Sequence, residues 1–293
     1  MAAASFALAL FGGVVHADPH PWQLNMDPGA TTWSHVPYDL NNIALIVVTV
    51  IGVLVFGTMG IAMFRFRKSR GAVAEKWAHN TAMEVTWTAI PVVILVVLAY
   101  LATGGLESWA DTTGSQMTVK VTGYQWKWRY DYVSYLGKPV EKVGFMSKLD
   151  KQSDETRQLG SSMDPYAVKV GDEQTYLLNV DKPLVVPIHT KIRFLITGGD
   201  VIHSWWVPAF GWKLDAIPGV INGAWTNIER PGTYRGQCAE LCGQDHGFMP
   251  IVVVAKSKAD FAKWLSEQEA QSKKGSPPPA SFDEAPQAAA ARG

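Results

Sequence analysis

Two long stretches without a charged side chain, Ile43 to Phe64 and Val85 to Ala102, set the first third of the chain apart from the rest. Each approaches the roughly 20 apolar residues a helix needs to cross the hydrocarbon of a bilayer, so the pattern predicts a transmembrane hairpin. Pro91, inside the second run, is compatible with that, because neighbouring helices and waters satisfy a freed carbonyl. Beyond Ala102 the pattern changes to alternation of apolar and polar residues, the mark of half-buried strands. Met117 to Thr122, Gln125 to Tyr132, Thr175 to Val180, Lys191 to Thr197, Trp225 to Ile228 and Ile251 to Ala255 are the predicted strands, with a further one near Thr233 to Gly236. Gly and Pro punctuate the gaps between them, as in a small sandwich or barrel. Residues 133–173 are polar without a steady period and read as an irregular insertion, and Lys258 to Lys273 reads as an amphipathic helix with Phe261, Trp264 and Leu265 on one side. A shorter apolar run over residues 5–15 ends in Val15-His16-Ala17 and reads as a signal peptide cleaved after Ala17, although it has no positive start.

Charge gives the hairpin a direction. No Lys or Arg occurs from Met1 to Phe64, while Arg65, Arg67, Lys68, Arg70 and Lys76 crowd between the two runs against only Glu75 and, immediately before the second run, Glu84. That loop is then cytoplasmic, and both ends of the chain lie on the opposite face. The net charge is zero, which gives no sign of a nucleic-acid partner.

The candidate chemistry sits on the translocated side. Both cysteines fall in Cys238-Ala-Glu-Leu-Cys242-Gly-Gln-Asp-His246-Gly-Phe-Met249. Thiolate, imidazole and thioether together select copper over hard cations. A disulfide, a redox dithiol and a zinc site compete with that reading, but none of them has a use for Met249. A single blue-copper site needs one Cys, so two thiolates suggest a bridged pair of coppers, which needs a second imidazole. His203, in Asp200-Val-Ile-His203-Ser-Trp-Trp beside a glycine turn, is preferred to His189 for that role. No CxxCH sequence occurs, so no covalent c-type haem is expected on this chain.

The chain resembles subunit II of cytochrome c oxidase, the subunit with the dinuclear copper centre CuA. The likeness is carried by Val201-Ile-His203-Ser-Trp, Lys213-Leu-Asp-Ala-Ile-Pro-Gly219, Gly236-Gln-Cys238 through Met249-Pro-Ile, Gly123-Tyr-Gln-Trp126-Lys-Trp128 and His79-Asn-Thr-Ala-Met-Glu84-Val-Thr-Trp87. It spans about Asn41 to Trp264 and weakens over 133–173. The resemblance implies an N-terminal two-helix transmembrane hairpin followed by an all-β cupredoxin-like Greek-key sandwich. Residue pattern and resemblance together divide the chain into a signal peptide over 1–17, an extracytoplasmic segment over 18–42, a hairpin over 43–102 with a cytoplasmic loop at 65–84, a CuA domain over 103–257, an amphipathic helix over 258–273 and, beyond the likeness, a Pro- and Ala-rich disordered tail over 274–293.

By the same resemblance Cys238 and Cys242 bridge the coppers, His203 and His246 are terminal ligands, and Met249 and the Glu240 carbonyl are weak ones. The Glu240 carboxylate would bind magnesium shared with subunit I, Trp126 would receive the electron, and Glu84 would mark the entrance of a proton pathway. The implied partners are cytochrome c, subunit I with its haems and CuB, subunit III and the lipid bilayer of a bacterial inner membrane, with the copper domain periplasmic. The implied activity is electron transport in an oxidoreductase and translocase, with the oxygen chemistry in subunit I. Tyr124, Trp126, Trp128, Tyr130 and Tyr132 alternate, so a straight strand would line them on one face, and Trp126 needs a bend to turn outward. A basic cytochrome c would want an acidic patch; Asp131, Asp200 and Asp245 are the candidates. A copper chaperone, a nitrous oxide reductase and a quinol oxidase subunit are the rival readings, disfavoured respectively by the hairpin with strands, by the membrane anchor and by the Cys pair.

Overall fold

The computed structural model describes residues 15–17, 25–74, 76–157 and 175–273. Two compact units result, residues 35–111 and the remainder.

In the first unit α1 (His35–Arg65) and α2 (Thr81–Ala110) are both long and apolar enough to cross a membrane. They overrun the uncharged stretches at both ends because polar turns extend the hydrogen-bonded ladder beyond the hydrocarbon-like span. Neither buries a residue, and side chains such as Leu54, Phe56, Leu95 and Val96 are exposed. In water that much apolar surface would be very costly; in lipid it is matched. The hydroxyls inside the helices turn back on their own ladder: Thr49 donates to the Leu45 carbonyl at 2.7 Å, Thr58 to Leu54 at 2.7 Å and Thr86 to Ala82 at 2.7 Å. Asn80 caps α2, its side chain accepting from the Met83 N–H, and Glu84 accepts from the Asn80 N–H at 3.2 Å.

The second unit is a sandwich of two sheets. One contains β1 (Val15–Ala17), β6 (Leu184–Pro187), β8 (His203–Val207), β9 (Trp212–Ala216), β11 (Gly232–Cys238) and β12 (Pro250–Lys256), in the order β6-β12-β11-β8-β9 with β1 added on β11. The other has the order β10 (Asn222–Thr226), β7 (Ile192–Gly198), β2 (Met117–Tyr124), β3 (Lys127–Tyr135), β4 (Lys138–Pro139), with β5 (Gly144–Ser147) also on β3. The inner faces bury Trp128, Tyr130, Phe194, Trp205, Phe210 and Tyr234 completely. A tyrosine ties the layers together: the Tyr132 hydroxyl donates to the Val185 carbonyl at 2.8 Å and accepts from the Val185 N–H at 3.0 Å. α4 (Lys258–Lys273) packs Phe261 and Leu265 inward, with the Phe261 and Trp264 rings against Tyr132.

Three expectations are corrected. The aromatic alternation is not one strand, because β2 and β3 form a hairpin in which Tyr124 pairs with Lys127 and Gln125-Trp126 is the turn. Trp128, Tyr130 and Tyr132 alternate into the core, whereas Trp126 sits at the tip and only partly buried. Thr175 to Val180 is not a strand: Asn179 bonds back to the Thr175 hydroxyl at 3.1 Å, Leu177 has φ 61°, and only Val180 makes an isolated bridge, to Leu149. The stretch expected to be irregular contains β4, β5 and α3 (Lys151–Thr156) among its described residues. Phe145 on β5 meets Tyr130 and Tyr132, so two apolar contacts replace the missing periodicity. The strands β6, β8 and β9 had no clear alternation, since β6 is buried throughout and β8 nearly so. The expected signal peptide lies outside the described residues except for β1, and the expected tail lies wholly outside them.

Candidate metal centre

The loop from Ala239 to Met249 joins β11 to β12, so its ligand candidates hang between two strands of one sheet. At its start Ala239 donates to the Ser204 carbonyl at 3.0 Å, and at its end the Met249 carbonyl accepts from Cys238 N–H at 3.1 Å. These bonds close the loop on itself and lock it to β8, whose first residue is His203. Gly236 permits the close approach of β11 to β8, because a Cβ there would collide with the Trp206 carbonyl.

Cys238 and Cys242 are buried free thiols whose sulfurs stand 3.8 Å apart. The His203 Nδ1 lies 4.0 Å from Cys238 Sγ, and the His246 Nδ1 lies 3.6 Å from Cys242 Sγ. The ligand atoms of His203, Cys238 and Cys242 all fall within 4.8 Å of one another. The Glu240 carbonyl is 3.4 Å from Cys238 Sγ, while the Glu240 carboxylate end of the residue is exposed. Met249 is buried at the far end of the loop. A metal–thiolate bond is about 2.3 Å long, so one ion can touch both sulfurs from either side of the line joining them. The donor set therefore fits a bridged soft metal pair, with one imidazole beside each sulfur.

Electrostatics make the two sulfurs unequal. Burial raises the thiol of Cys238, but hydrogen bonds from His203 and from the Ser204 side of the loop outweigh it and bring it down. Burial, followed by the charge on Cys238, pushes Cys242 up. One thiolate forms readily and opposes the next, so a second negative charge here calls for a cation.

His203 is the most tightly held of the set. Its Nε2 faces Asp200 Oδ1 at 2.9 Å, which places the proton on Nε2 and leaves the Nδ1 lone pair toward the sulfurs. Burial would raise the Asp200 carboxyl, but the Gln125 N–H, His203 and the Val201 N–H together lower it. Trp128 meets the His203 ring edge-on at 5.9 Å. On the remaining side a Cβ at Gly123 would stand 2.7 Å from His203 Cδ2. Gly123→Ala is therefore expected to displace the imidazole and lower metal affinity by about 10-fold or more, read from competition titration against a chelator.

The hairpin tip covers the loop. Gln125 donates to the Cys242 carbonyl at 2.9 Å, and the Trp126 indole lies over Gly243, where an added Cβ would be 3.2 Å from Trp126 Cζ2. Sequence reasoning treated Asp200 only as a surface charge and missed Gln125. The Asp200-to-His203 spacing across a glycine turn was the signal available for the first. The three acids do not form a free acidic patch: Arg129 holds Asp131, Arg157 holds Asp245, and Asp200 is taken up by His203 and Gln125. Glu84 is not part of this site; it lies in the first turn of α2, in the other unit, 3.7 Å from His79 Nδ1.

A two-helix membrane hairpin followed by a β-sandwich with a Cys-Cys-His ligand loop between strands defines a membrane-anchored, cupredoxin-like metal-centre subunit. The family model for the periplasmic domain of cytochrome c oxidase subunit II matches residues 117–256, and that for its transmembrane domain matches residues 19–103. The chain is 39% identical over 250 residues to the "Probable cytochrome c oxidase subunit 2" of Rickettsia prowazekii, covering 85% of this chain and 74% of that one. It is 34% identical over 252 residues to cytochrome c oxidase subunit 2 of Cereibacter sphaeroides, covering 85% and 81%. The solved periplasmic domain of subunit II of cytochrome oxidase of Bradyrhizobium japonicum is 35% identical, with a TM-score of 0.45, covering 55% of this chain and 99% of that one. The chain belongs to the cytochrome c oxidase subunit II family. Members of this family bind the CuA copper centre and work as one subunit of an oxidoreductase complex.

Proposed function

We propose that this chain is the electron-entry subunit of a haem-copper terminal oxidase. Reduced cytochrome c delivers electrons one at a time at the Cys238 to Met249 site, and they leave for haem in subunit I, where oxygen is reduced to water and protons are pumped. The observation that carries the reading is the pair of unbonded, buried sulfurs 3.8 Å apart with an imidazole nitrogen beside each. A thiolate-bridged copper pair bound there supplies one-electron storage with little change in its surroundings.

The chain's own residues account for the rest. Cys238 and Cys242 would be the shared thiolates, His203 and His246 the imidazole donors, and Met249 and the Glu240 carbonyl the weak donors that hold the coppers. Asp200 holds the proton on the far side of the His203 ring and so keeps the near nitrogen open. The strands at both ends of the loop hold these groups still between oxidation states. Trp126 is the entry point, supported by its place at the hairpin tip directly over Cys242-Gly243. The donor then docks without Asp131, Asp200 and Asp245 as a free acidic cluster, since each of these three is already paired.

Glu240, with its side chain exposed, is the magnesium ligand shared with subunit I. Glu84, fixed at the start of α2, is the mouth of the proton pathway. The exposed basic loop from Arg65 to Lys76 supports a cytoplasmic turn, a periplasmic copper domain and a bacterial inner membrane. Subunit III is the further partner, and the chain holds no haem of its own.

Electron paramagnetic resonance on the copper-loaded full chain tests the assignment. A seven-line signal from one electron shared by two coppers is the expected result; a four-line signal, or silence from a zinc-filled or disulfide-closed site, overturns it. Met249→Leu conserves volume, so stability is expected to change by less than about 1.5 kcal/mol. The midpoint potential moves all the same, and an unchanged potential in a redox titration refutes Met249 as a ligand.

A further inference from the structure

Arg157, the residue that follows α3, reaches the ligand loop from the stretch where the family likeness weakens. Its guanidinium donates through both terminal nitrogens to Asp245, Nη1 to Oδ1 at 3.1 Å and Nη2 to Oδ2 at 3.2 Å. Its Nε donates to Asp154 Oδ1 at 2.9 Å. The same group lies over the Phe248 ring, 4.3 Å from the centroid. Only 19% of the Arg157 side chain is exposed, too little for an idle surface cation.

These contacts bracket His246 and stop one residue short of Met249, whose carbonyl accepts from the Cys238 N–H. Asp245 immediately precedes His246 and Phe248 immediately precedes Met249, so one side chain grips the turn on both sides of His246. Outside these contacts the turn is held by the Gln125 bond to the Cys242 carbonyl, by the Trp126 ring over Gly243 and by two backbone bonds of its own. Its backbone bonds run from His246 N–H to the Gly243 carbonyl at 3.3 Å and from Phe248 N–H to the Asp245 carbonyl at 2.9 Å. It also contains Gly243 at φ 116° and Gly247, around which nothing lies close. Two glycines in so short a turn leave it conformationally free unless a side chain restrains it.

We propose that Arg157 is a positioning residue for the copper centre, a clamp that grips Asp245 and stacks on Phe248 to present His246 and Met249 to the sulfurs. The inference rests on the copper reading above. The clamp works by shape. Two carboxylates already balance the guanidinium, and a lysine would keep the charge while losing both the fork and the planar stack.

The test uses the copper-loaded full chain, with the rate of copper loss to a chelator and the hyperfine pattern as readouts. Arg157→Ala and Arg157→Lys are both expected to speed copper loss about 10-fold, within the range set by groups that orient ligands, and to alter the hyperfine splitting. Asp245→Asn should do the same, and Arg157→Ala with Asp245→Asn together should be no faster than the worse single variant. Phe248→Leu, which keeps the ion pair, gives the same direction if Arg157→Ala does not fold. Wild-type behaviour in Arg157→Lys, or effects of the paired variants that multiply, overturns the clamp. If the wild-type chain gives no two-copper signature, the copper reading fails and the clamp fails with it. A normal wild-type signature with unaltered variants defeats the clamp alone.

Discussion

On the proposed two-copper function, Cys242→Ser is expected to reduce the copper content to one or none, to replace the shared-electron signature with a single-copper one, and to take electron entry from the proposed cytochrome c donor to background. The reason lies in how the two sulfurs are placed. Both are buried, and each already has an imidazole nitrogen within 3.6 or 4.0 Å. Cys238 ionises first because bonds from His203 and the loop backbone overcome its burial, and that charge then opposes Cys242. Soft cations held between the sulfurs would relieve that opposition, and both thiolates would then hold them. Serine offers a hard oxygen with a far higher pKa, which neither ionises here nor suits a soft metal. His246 would keep its position against the loop but lose the sulfur it stands beside. Metal analysis together with paramagnetic resonance reads the outcome, and two retained coppers with a seven-line signal would show that the thiolates do not bridge. Cys238→Ser should be at least as damaging, since the His203 Nδ1 and the Glu240 carbonyl both lie beside that sulfur.

How much of this was readable in advance depended on whether one solvent or several contacts decided the local structure. The membrane helices were legible because lipid imposes a single requirement over a whole run, and the basic loop between them reinforced it. The strands β2, β3 and β7 were legible because one face is core and the other polar, which writes a period of two, and β12 because Ile251 to Ala255 is an unbroken apolar run, β-branched as far as Val254. Leu184 to Pro187 in β6 is buried on both sides and writes no period, so it escaped. Thr175 to Val180 had the right alternation, but its side chains satisfy each other locally in a turn.

The ligand loop was readable as chemistry, from Cys238 to Met249, because soft donors at such short spacing have few other uses. What surrounds it was not. Gln125 and Arg157 reach partners in the loop 117 and 88 positions away in sequence, through a hairpin tip and the end of an inserted helix. No local pattern marks a glutamine as the cover of this loop or an arginine as its clamp. Trp126 shows the same limit from the other side: alternation alone set it on the face of Trp128 and asked for a bend to turn it outward, and the two-residue turn supplies that bend.

Trp205→Ala is expected to destabilise the sandwich by about 3–5 kcal/mol, the range for removing a buried large aromatic. Trp205 is fully buried, stacks on Phe194 at 5.2 Å between ring centroids, and meets Trp212 at 5.3 Å and Phe210 at 6.1 Å. Its indole N–H points at the Tyr130 hydroxyl at 3.4 Å. Truncation thus opens a cavity where the two sheets meet and strips a buried hydroxyl of a neighbour. For a domain of this size the loss corresponds to a fall in Tm of roughly 10 °C, followed by near-ultraviolet circular dichroism on the full chain. The site is affected as well, because Trp205 lies two residues from His203 on β8 and opposite Cys238 on β11. Copper binds the folded domain, so it raises the Tm of wild type and variant alike, but a loosened β8 gives the variant the smaller rise. Trp205→Phe keeps most of the ring and should recover a large part of both losses. A Trp205→Ala protein melting within about 2 °C of wild type, well below the shift set by such a truncation, would mean that this side chain does not join the sheets. The metal loop would then depend on the β11–β12 pair alone.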